Sequence, residues 1–202
     1  MPEVSAILLA AGLSRRMGAP NKLLLPVGDK PMVRRVAEAY LGAIDGPLTV
    51  VTGCDAQKVR TALHDLPLRF AHNPDFESGQ PSSVATGLQH APETDLLLIG
   101  LADQAMLTSD NLVDLVAAHR AGNADKITIP MRHGTRGNPI VIPRSLRSRL
   151  TENPKRPGCM RFTRDYPEHV QAADLSAAGF YSDVDTPRDY ETIVSHEGAR
   201  LT

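Results

Sequence analysis

The chain of 202 residues has no tryptophan, only four tyrosines and four phenylalanines, and only two cysteines, Cys54 and Cys159. Two cysteines without metal-ligand spacing form neither a disulfide framework nor a zinc site. Scarce aromatics leave little material for a platform on which nucleic-acid bases stack. The formal net charge of -1 gives no overall basic field that would attract nucleic acid. We therefore expect neither a disulfide-stapled fold nor a nucleic-acid partner.

Long hydrophobic runs are missing as well. The apolar stretch over residues 4–11 is far too short to cross a bilayer, and no basic segment precedes it. The seven histidines show no metal-ligand spacing, and no G-x-S-x-G motif accompanies them. We expect a cytoplasmic protein without a membrane partner, and the sequence disfavours zinc and serine hydrolases.

What the chain does have is 42% apolar residues, arranged in short runs that alternate with helical patterns. Strands are predicted at residues 4–10, 48–52, 68–71, 96–101, 127–130 and 139–142, with short extended pieces at 169–172 and 180–184. One helix is predicted from Pro31 to Leu41, a second begins after Asp55 as its cap, and a third begins at Ser82 or Ser83. A fourth helix begins after Ser109 or Asp110 as its cap, and the last begins at Pro187. Between them, residues 144–165 are predicted to be helical in pieces that Pro154 and Pro157 interrupt. The alternation predicts one α/β domain over residues 1–202, with three layers and a mostly parallel sheet.

A cationic loop containing glycines follows the first strand. The chain passes from an apolar run through Gly12, Ser14, Arg15 and Arg16 to a second glycine, and then reaches Lys22. Backbone N–H groups and cationic side chains bind phosphate oxygens, and open α/β sheets bind ligands at the carboxyl ends of their strands. The spacing fits neither the Walker nor the dinucleotide pattern. The loop predicts a polyphosphate site of another type, with an ordinary turn carrying surface arginines as the alternative.

Acidic residues occur at two further strand ends. Asp103 follows the most apolar strand, where a carboxylate is suited to hold Mg²⁺; a turn or capping role is the alternative, although Asp110 is better placed to cap. Asp183 and Asp185 alternate, so both face one side of an extended segment. Their alternative role is to complement the dipole of the helix that Thr186 caps.

Two polar loops complete the candidate groups. Residues 73–83 are rich in amides and hydroxyls that can read a nucleobase edge, and otherwise form a plain surface loop. Residues 134–139 form a tight basic turn with Arg136 and Asn138. This turn either faces an anionic second substrate or is only a hairpin turn with a surface arginine.

With these groups in order, the chain resembles the MobA-like nucleotidyltransferases, in particular the molybdenum cofactor cytidylyltransferase-like members. The matching segments are residues 8–18, 21–24, 73–83 with 87–88, 101–104, 136–139 and 183–190. The resemblance implies a Rossmann-like fold related to GT-A glycosyltransferases. It also implies transfer of a nucleoside monophosphate from a triphosphate to a phosphate-bearing acceptor, with release of pyrophosphate.

The resemblance assigns roles residue by residue. It implies that Arg16, Lys22 and Asp103 are catalytic and that Asp103 and Asp185 bind Mg²⁺. Family members that transfer GMP typically read Leu-Ala-Gly-Gly where this chain has Ala11 before Gly12, which favours CTP. The implied acceptor is molybdopterin, and a molybdoenzyme or maturation factor is the implied protein partner. The nucleotide-binding set is Ala10, Ala11, Gly12, Ser14, Arg15, Lys22, Gly79, Ser82 and Ser83, and the acceptor-binding set is Arg136 and Asn138.

Two departures from the family pattern leave alternatives open. Residues 153–162 keep Gly158 and Arg161 but lack the usual acid, at the place where the acceptor is handled, and Ala105 replaces a proline. One alternative is guanylyl or other nucleotidyl transfer to another phosphorylated metabolite. A second is a non-catalytic nucleotide-binding accessory protein for molybdoenzyme maturation. A third is an NAD(P)-linked reductase, which the absence of G-x-G-x-x-G disfavours.

Overall fold

The computed structural model describes residues 2–18, 21–152 and 158–200. Its strands are β1 (Val4–Ala10), β2 (Pro26–Val27), β3 (Lys30–Pro31), β4 (Leu48–Thr52), β5 (Leu68–His72), β6 (Leu96–Leu101), β7 (Ile127–Arg132), β8 (Thr135–Arg136), β9 (Ile140–Pro143) and β10 (Val170–Asp174). Its α-helices are α1 (Met32–Leu41), α2 (Ala56–Ala62), α3 (Gln80–Gln89), α4 (Ser109–Ala121), α5 (Arg144–Arg147), α6 (Cys159–Asp165) and α7 (Pro187–Arg200). The predicted α/β class is confirmed.

Eight strands form one mixed, mostly parallel sheet. Its order is β10-β7-β9-β6-β1-β4-β5, with β8 added to β7, and β2 and β3 form a separate hairpin. Strand β1 runs parallel to both β4 and β6, so these three strands end at the same edge. Strand β9 interrupts the parallel order, since it lies antiparallel to β6 and β7, and β8 is antiparallel to β7. The candidate loops after β1 and β6 therefore begin side by side.

Helices cover both faces of the sheet, as the three-layer prediction requires. Alternate residues of β1 point to opposite faces: Ala6 and Leu8 belong to one apolar core and Ile7 and Leu9 to the other. Helices α1, α2 and α4 pack on the first face, and α3, α5 and α6 on the second. No helix in the described part of the chain is long and apolar enough to cross a membrane.

Three predicted helix starts are wrong, and among these three only the start of α4 is set by a side-chain cap. Thr108, not Ser109 or Asp110, caps α4: its hydroxyl accepts from the Asn111 N–H while the Asn111 side chain accepts from the Thr108 N–H. Helix α3 begins at Gln80, before Ser82 and Ser83. Pro31 precedes α1 as its cap instead of forming its first turn, and pairs with Pro26 in the hairpin.

The extended piece predicted at residues 180–184 is also wrong. Ala178–Phe180 is a 3₁₀ turn, and residues 182–186 are irregular. The reason is tertiary: Phe180 is buried in the first core, and its carbonyl accepts the Asn138 N–H at 2.9 Å. Asp55 does precede α2, but its carboxylate pairs with Lys58 instead of capping the helix. Pro154 and Pro157 lie outside the described residues.

Helix α7 is held against the hairpin and α1 by a small third core. Val184, just before the helix, packs there with Val27, Met32 and Ile193. Two polar contacts add direction. The Tyr190 hydroxyl donates to the Pro26 carbonyl at 2.6 Å, and Arg35 forms a two-pronged ion pair with Glu197 at 2.7 and 2.9 Å. These contacts fix where the chain before α7 can lie.

A buried histidine of α4, His119, contacts strand β7 of the sheet. His119 is 1% exposed, and its Nδ1 lies 2.8 Å from the Thr128 hydroxyl, which also accepts from Gln171. Its Nε2 has no partner among the described residues. Burial, with a smaller contribution from the charge of Arg120, lowers the pKa of His119 below its ordinary value of 6.5.

We expect His119 to make the protein less stable in mild acid. The unfolded chain binds a proton at this side chain more readily than the folded chain, so the free energy of unfolding falls as pH drops below about 6.5. Urea unfolding from pH 7.5 to 5 should show a flatter dependence in His119→Gln. His72→Gln, at an exposed position, is the control and should keep the wild-type slope. An unchanged slope in His119→Gln would contradict this account.

Candidate active site

A cleft of about 500 Å³ opens at the carboxyl edge of the sheet. The loop after β1, Asp103 after β6, the loop around Gly79 and the segment before α7 line it, as expected where parallel strands end together. Ten of the predicted site residues lie on its wall: Ala11, Gly12, Ser14, Arg15, Arg16, Lys22, Gly79, Ser83, Asp103 and Asp185. The fold thus brings together residues from four distant stretches of sequence.

The loop after β1 turns sharply at two residues with positive φ. Ser14 adopts a left-handed conformation with φ 51°, and Gly18 has φ 80°, on either side of a 3₁₀ turn at Arg15–Met17. A Cβ placed on Gly12 would meet nothing within 4 Å. The Gly12 backbone therefore faces open space in the cleft, where a ligand can approach its amide closely.

Polar side chains tie this loop to its neighbours. The Ser14 hydroxyl accepts the Lys22 N–H at 3.2 Å and donates to the Asn21 side-chain oxygen at 3.4 Å. Asn21 also accepts the Leu23 N–H at 3.1 Å and donates to Asp55 at 3.4 Å. These bonds fix the 3₁₀ turn that begins at Lys22 and so set the direction of its side chain.

Four charged side chains form a connected cluster on the cleft wall. The Lys22 ammonium lies 2.5 Å from Asp103 Oδ2 and 3.0 Å from Asp185 Oδ1, and Arg16 lies 3.0 Å from Asp185 Oδ2. The Lys22 side chain is only 11% exposed, whereas that of Arg16 is 70% exposed. Burial alone would lower the pKa of Lys22, but the charges and hydrogen bonds of Asp103 and Asp185 outweigh it and raise that pKa. Lys22 is therefore cationic at neutral pH.

The carboxylates of this cluster suit a hard divalent cation. Asp103 Oδ1 is shielded from solvent and has no hydrogen-bond partner among the described residues. Asp183 lines the same cleft, where desolvation by the cleft walls, followed by the charges of Asp103 and Asp185, raises its pKa to about 6. No ready-made group of three or more metal-ligating side chains occurs in the described ranges. The Lys22 ammonium instead lies between the two predicted ligands.

The loop at residues 73–83 contributes a second wall through a buried asparagine. The Asn73 side-chain amide donates to the hydroxyls of Ser82 at 2.8 Å and Ser83 at 3.0 Å, and its oxygen accepts the Asp75 N–H. Gly79 and Ser83 line the cleft with Phe76, Glu77 and Gln80.

Two predicted nucleotide-binding residues do not lie on the cleft wall. Ser82 bonds to the carbonyls of Asp75 and Gly79, so its hydroxyl serves the start of α3. Ala10 is 1% exposed at the end of β1. Both residues therefore support the wall of the cleft without lining it.

A second cavity of about 340 Å³ adjoins the first and contains both predicted acceptor residues, Arg136 and Asn138. Arg136 donates to the Thr163 hydroxyl at 2.6 Å, and burial lowers its pKa. Arg161 and Arg164 also line this cavity, which gives it a positive character suited to an anionic ligand. The two cavities share Leu9, Gln80, Leu101 and Asp183.

The sequence reasoning left several lining residues out of its site. Asp183 was considered for its alternation with Asp185 but not assigned a role, although it stands where the cavities meet. Phe76 and Glu77 lie within the predicted polar loop at residues 73–83 but were not assigned a role of their own. Arg164, on α6, gave no motif signal.

Comparison with known proteins now defines the class. The family model described as the MobA-like NTP transferase domain matches residues 6–172. The chain therefore belongs to the MobA-like NTP transferase domain family, a family of nucleotidyltransferases, which confirms the resemblance seen in the sequence.

Two full-length relatives differ in their named activities. Nicotine blue oxidoreductase from Paenarthrobacter nicotinovorans is 31% identical over 191 residues, covering 92% of this chain and 94% of that protein. Molybdenum cofactor guanylyltransferase from Rhodopseudomonas palustris is 27% identical over 198 residues, covering 93% and 91%. Similarity at this level does not select one activity.

Solved structures share the fold over nearly the whole chain. A nucleotidyl transferase from Methanothermobacter has a TM-score of 0.82 at 21% identity and covers 99% of both chains. The protein Rv0371c from Mycobacterium tuberculosis, solved in complex with manganese, has a TM-score of 0.71 at 20% identity and covers 96% of this chain and 98% of that one.

The start of α7 offers a test of how Asp185 is held in place. Asp189 accepts hydrogen bonds from the backbone N–H groups of Asp185 at 3.1 Å and Thr186 at 2.7 Å, while the Thr186 hydroxyl caps the helix. Asp189→Ala should cost about 1 kcal/mol in urea unfolding. Glu191→Ala, at an exposed position on the same helix, should cost much less.

The pH dependence of the stability difference between wild type and Asp189→Ala shows whether the Asp189 carboxylate causes it. The hydrogen bonds from Thr186 lower the pKa of Asp189 below its ordinary value of 3.8. The stabilisation is therefore present at neutral pH and is lost as pH falls below 3.8. A difference between wild type and Asp189→Ala that persists undiminished near pH 2 would contradict this assignment.

Proposed function

We propose that the protein transfers a nucleotidyl group from a nucleoside triphosphate, with CTP the favoured donor, to a phosphate-bearing acceptor such as molybdopterin. One observation carries the proposal. Two cations and two carboxylates, from Arg16, Lys22, Asp103 and Asp185, form a single cluster beside a glycine loop with open backbone. Such a cluster provides carboxylates that can bind the metal and cations that can bind the phosphates of a metal–triphosphate complex.

The proposed reaction needs positioning and charge stabilisation more than covalent help. An oxygen of the acceptor phosphate forms a bond to the α-phosphorus, and the bond from that phosphorus to the β-phosphate oxygen breaks. Pyrophosphate leaves with the electron pair of that bond. Lys22 and Arg16 stabilise the charge that develops on the phosphate oxygens. An ionised phosphate needs no general base, which agrees with the lack of a catalytic histidine in the proposed site.

Asp103 and Asp185 are the proposed ligands of Mg²⁺. The unpartnered Asp103 Oδ1 and the hard oxygen donors of both carboxylates support this assignment. When bound, the metal would neutralise phosphate charge and orient the triphosphate. The chain's own contribution is to hold the carboxylates, through Asp189 and the strand β6, on one wall of the cleft.

The second cavity is the proposed acceptor site. Arg136 and Asn138 line it, and Arg161 and Arg164 add positive charge suited to a phosphorylated acceptor. Its contact with the first cavity through Gln80 and Leu101 allows an acceptor to approach the α-phosphate.

The preference for CTP depends on Ala11. Ala11 lines the cleft, at the position where family members that transfer GMP typically carry a glycine. The methyl group of Ala11 takes up space on this wall, which supports a preference for the smaller pyrimidine base. The guanylyltransferase relative makes GTP the main competitor.

An oxidoreductase is the second candidate function, and the relative named nicotine blue oxidoreductase favours it. Hydride transfer from a nicotinamide has no requirement for a buried cluster of lysine and carboxylates. The loop after β1 also lacks the G-x-G-x-x-G pattern. These features favour nucleotidyl transfer.

A ligand panel separates these candidates. Thermal unfolding should be measured with CTP, GTP, ATP, UTP and NADPH, with and without Mg²⁺. A triphosphate at about 100 times its dissociation constant should stabilise the folded state by about 2.7 kcal/mol. A Mg²⁺-dependent shift with CTP alone supports the proposal, a shift with GTP alone overturns the CTP preference, and a shift with NADPH alone favours the oxidoreductase.

Lys22→Ala should lower the rate of nucleotidyl transfer by about 10² to 10³-fold, since it removes a positive charge aimed at the triphosphate. Formation of pyrophosphate with molybdopterin as acceptor is the measurement. Lys58→Ala removes an exposed lysine that also pairs with an aspartate, and should leave the rate near wild type. Full activity of Lys22→Ala would show that the role of Lys22 is wrongly assigned.

A further inference from the structure

The carboxylates proposed to hold the metal are already paired within the protein. Lys22 contacts Asp103 Oδ2 and Asp185 Oδ1, and Arg16 contacts Asp185 Oδ2. Of the four oxygens of these two carboxylates, only Asp103 Oδ1 lacks a partner among the described residues. A divalent cation that binds to both carboxylates must therefore displace cationic side chains.

Displacement by a metal alone is unfavourable. The Lys22 side chain is only 11% exposed, so an ammonium pushed off Asp103 and Asp185 would lose its counter-charges in a place where water solvates it poorly. A polyphosphate that arrives alone meets the reverse problem, because Lys22 and Arg16 are already neutralised. A metal or a polyphosphate that arrives alone therefore meets side chains that are already paired with each other.

Both ligands together remove the conflict. The metal replaces the ammonium at the carboxylates, and the phosphate oxygens replace the carboxylates at Lys22 and Arg16. We propose that Lys22 and Arg16 act as internal counterions that make the cleft select a metal–polyphosphate complex over either component. This inference rests on the proposed function and adds a specificity-determining role for these two side chains.

The metal side of the proposal is tested by binding Mn²⁺ alone, followed by the electron paramagnetic resonance signal of the free ion. Lys22→Met should bind Mn²⁺ at least about 10-fold more tightly than wild type, because the carboxylates lose their internal partner. Lys58→Met, which removes an exposed lysine paired with Asp55, should bind as wild type does. Equal or weaker binding by folded Lys22→Met would overturn the proposal.

Arg16→Met keeps the test valid if Lys22→Met does not fold. The Arg16 side chain is 70% exposed and contacts Asp185, so its removal should leave the fold intact. Binding of Mn²⁺ should tighten by a smaller factor, about two- to fivefold, because Lys22 remains. No tightening in Arg16→Met would overturn the role of Arg16 as a counterion.

The phosphate side is tested by titrating inorganic tripolyphosphate into metal-free protein in the presence of EDTA. Asp185→Asn should bind tripolyphosphate at least about fivefold more tightly than wild type, since it releases Arg16 and leaves Lys22 paired with Asp103 alone. Asp183→Asn is the matched control, because it removes one negative charge from the same cleft but no ion pair of Asp183 with Lys22 or Arg16 occurs among the described residues. Equal gains in both variants would mean that general charge, not pairing, sets the affinity, and would overturn the proposal.

These measurements can contradict the counterion role without contradicting the proposed function, and the reverse also holds. Wild-type protein that transfers nucleotides, but whose Lys22→Met variant binds Mn²⁺ no better, would disprove the counterion role and leave the function standing. Protein that shows the predicted gains for Mn²⁺ and tripolyphosphate, but transfers no nucleotide, would support the counterion role and disprove the function.

Discussion

The contact that the rest of the site depends on is the lysine ammonium held between two carboxylates. Along the chain, Asp103 lies 81 positions after Lys22 and Asp185 lies 163 positions after it. They meet because β1 and β6 are parallel neighbours that end at one edge, and because the chain returns across that edge before α7. A partly buried charge needs such partners, so the cluster constrains all three segments.

The C-terminal segment contributes more to the site than the extent of the family match suggests. The matched region ends at residue 172, whereas Asp183 and Asp185 follow it. Val184, between them, is fully buried in the small core beneath α7 and anchors the segment. Asp183 and Asp185, on either side of this buried valine, both line the cleft. Packing of one valine thus holds the segment that carries two carboxylates.

The sequence predicted the parts of the fold that depend on local pattern. The apolar runs of β1, interrupted only by Ser5, and of β6 are typical of buried parallel strands, and the loops after them were expected at one edge of the sheet. It failed at residues 180–184, where burial of Phe180 in the core overrides the extended tendency. It also failed at the start of α4, where the reciprocal hydrogen bonds of Thr108 and Asn111 select Thr108 as the cap over Ser109 and Asp110. No local pattern reveals that the lysine pairs with both acids, or that Asp183 stands between two cavities.

The fold carries two adjoining cavities whose walls come from different parts of the chain. The floor of both cavities is formed by the ends of β1 and β6, through Leu9 and Leu101, so it is rigid. The walls of the second cavity come from α6 and the turn before β9, which can change without disturbing that floor. Function therefore has to be argued from the side chains of each cavity and not from the fold. In this chain the first cavity carries the lysine–carboxylate cluster and the second carries arginines, a pairing that serves two phosphorylated ligands better than it serves an uncharged one.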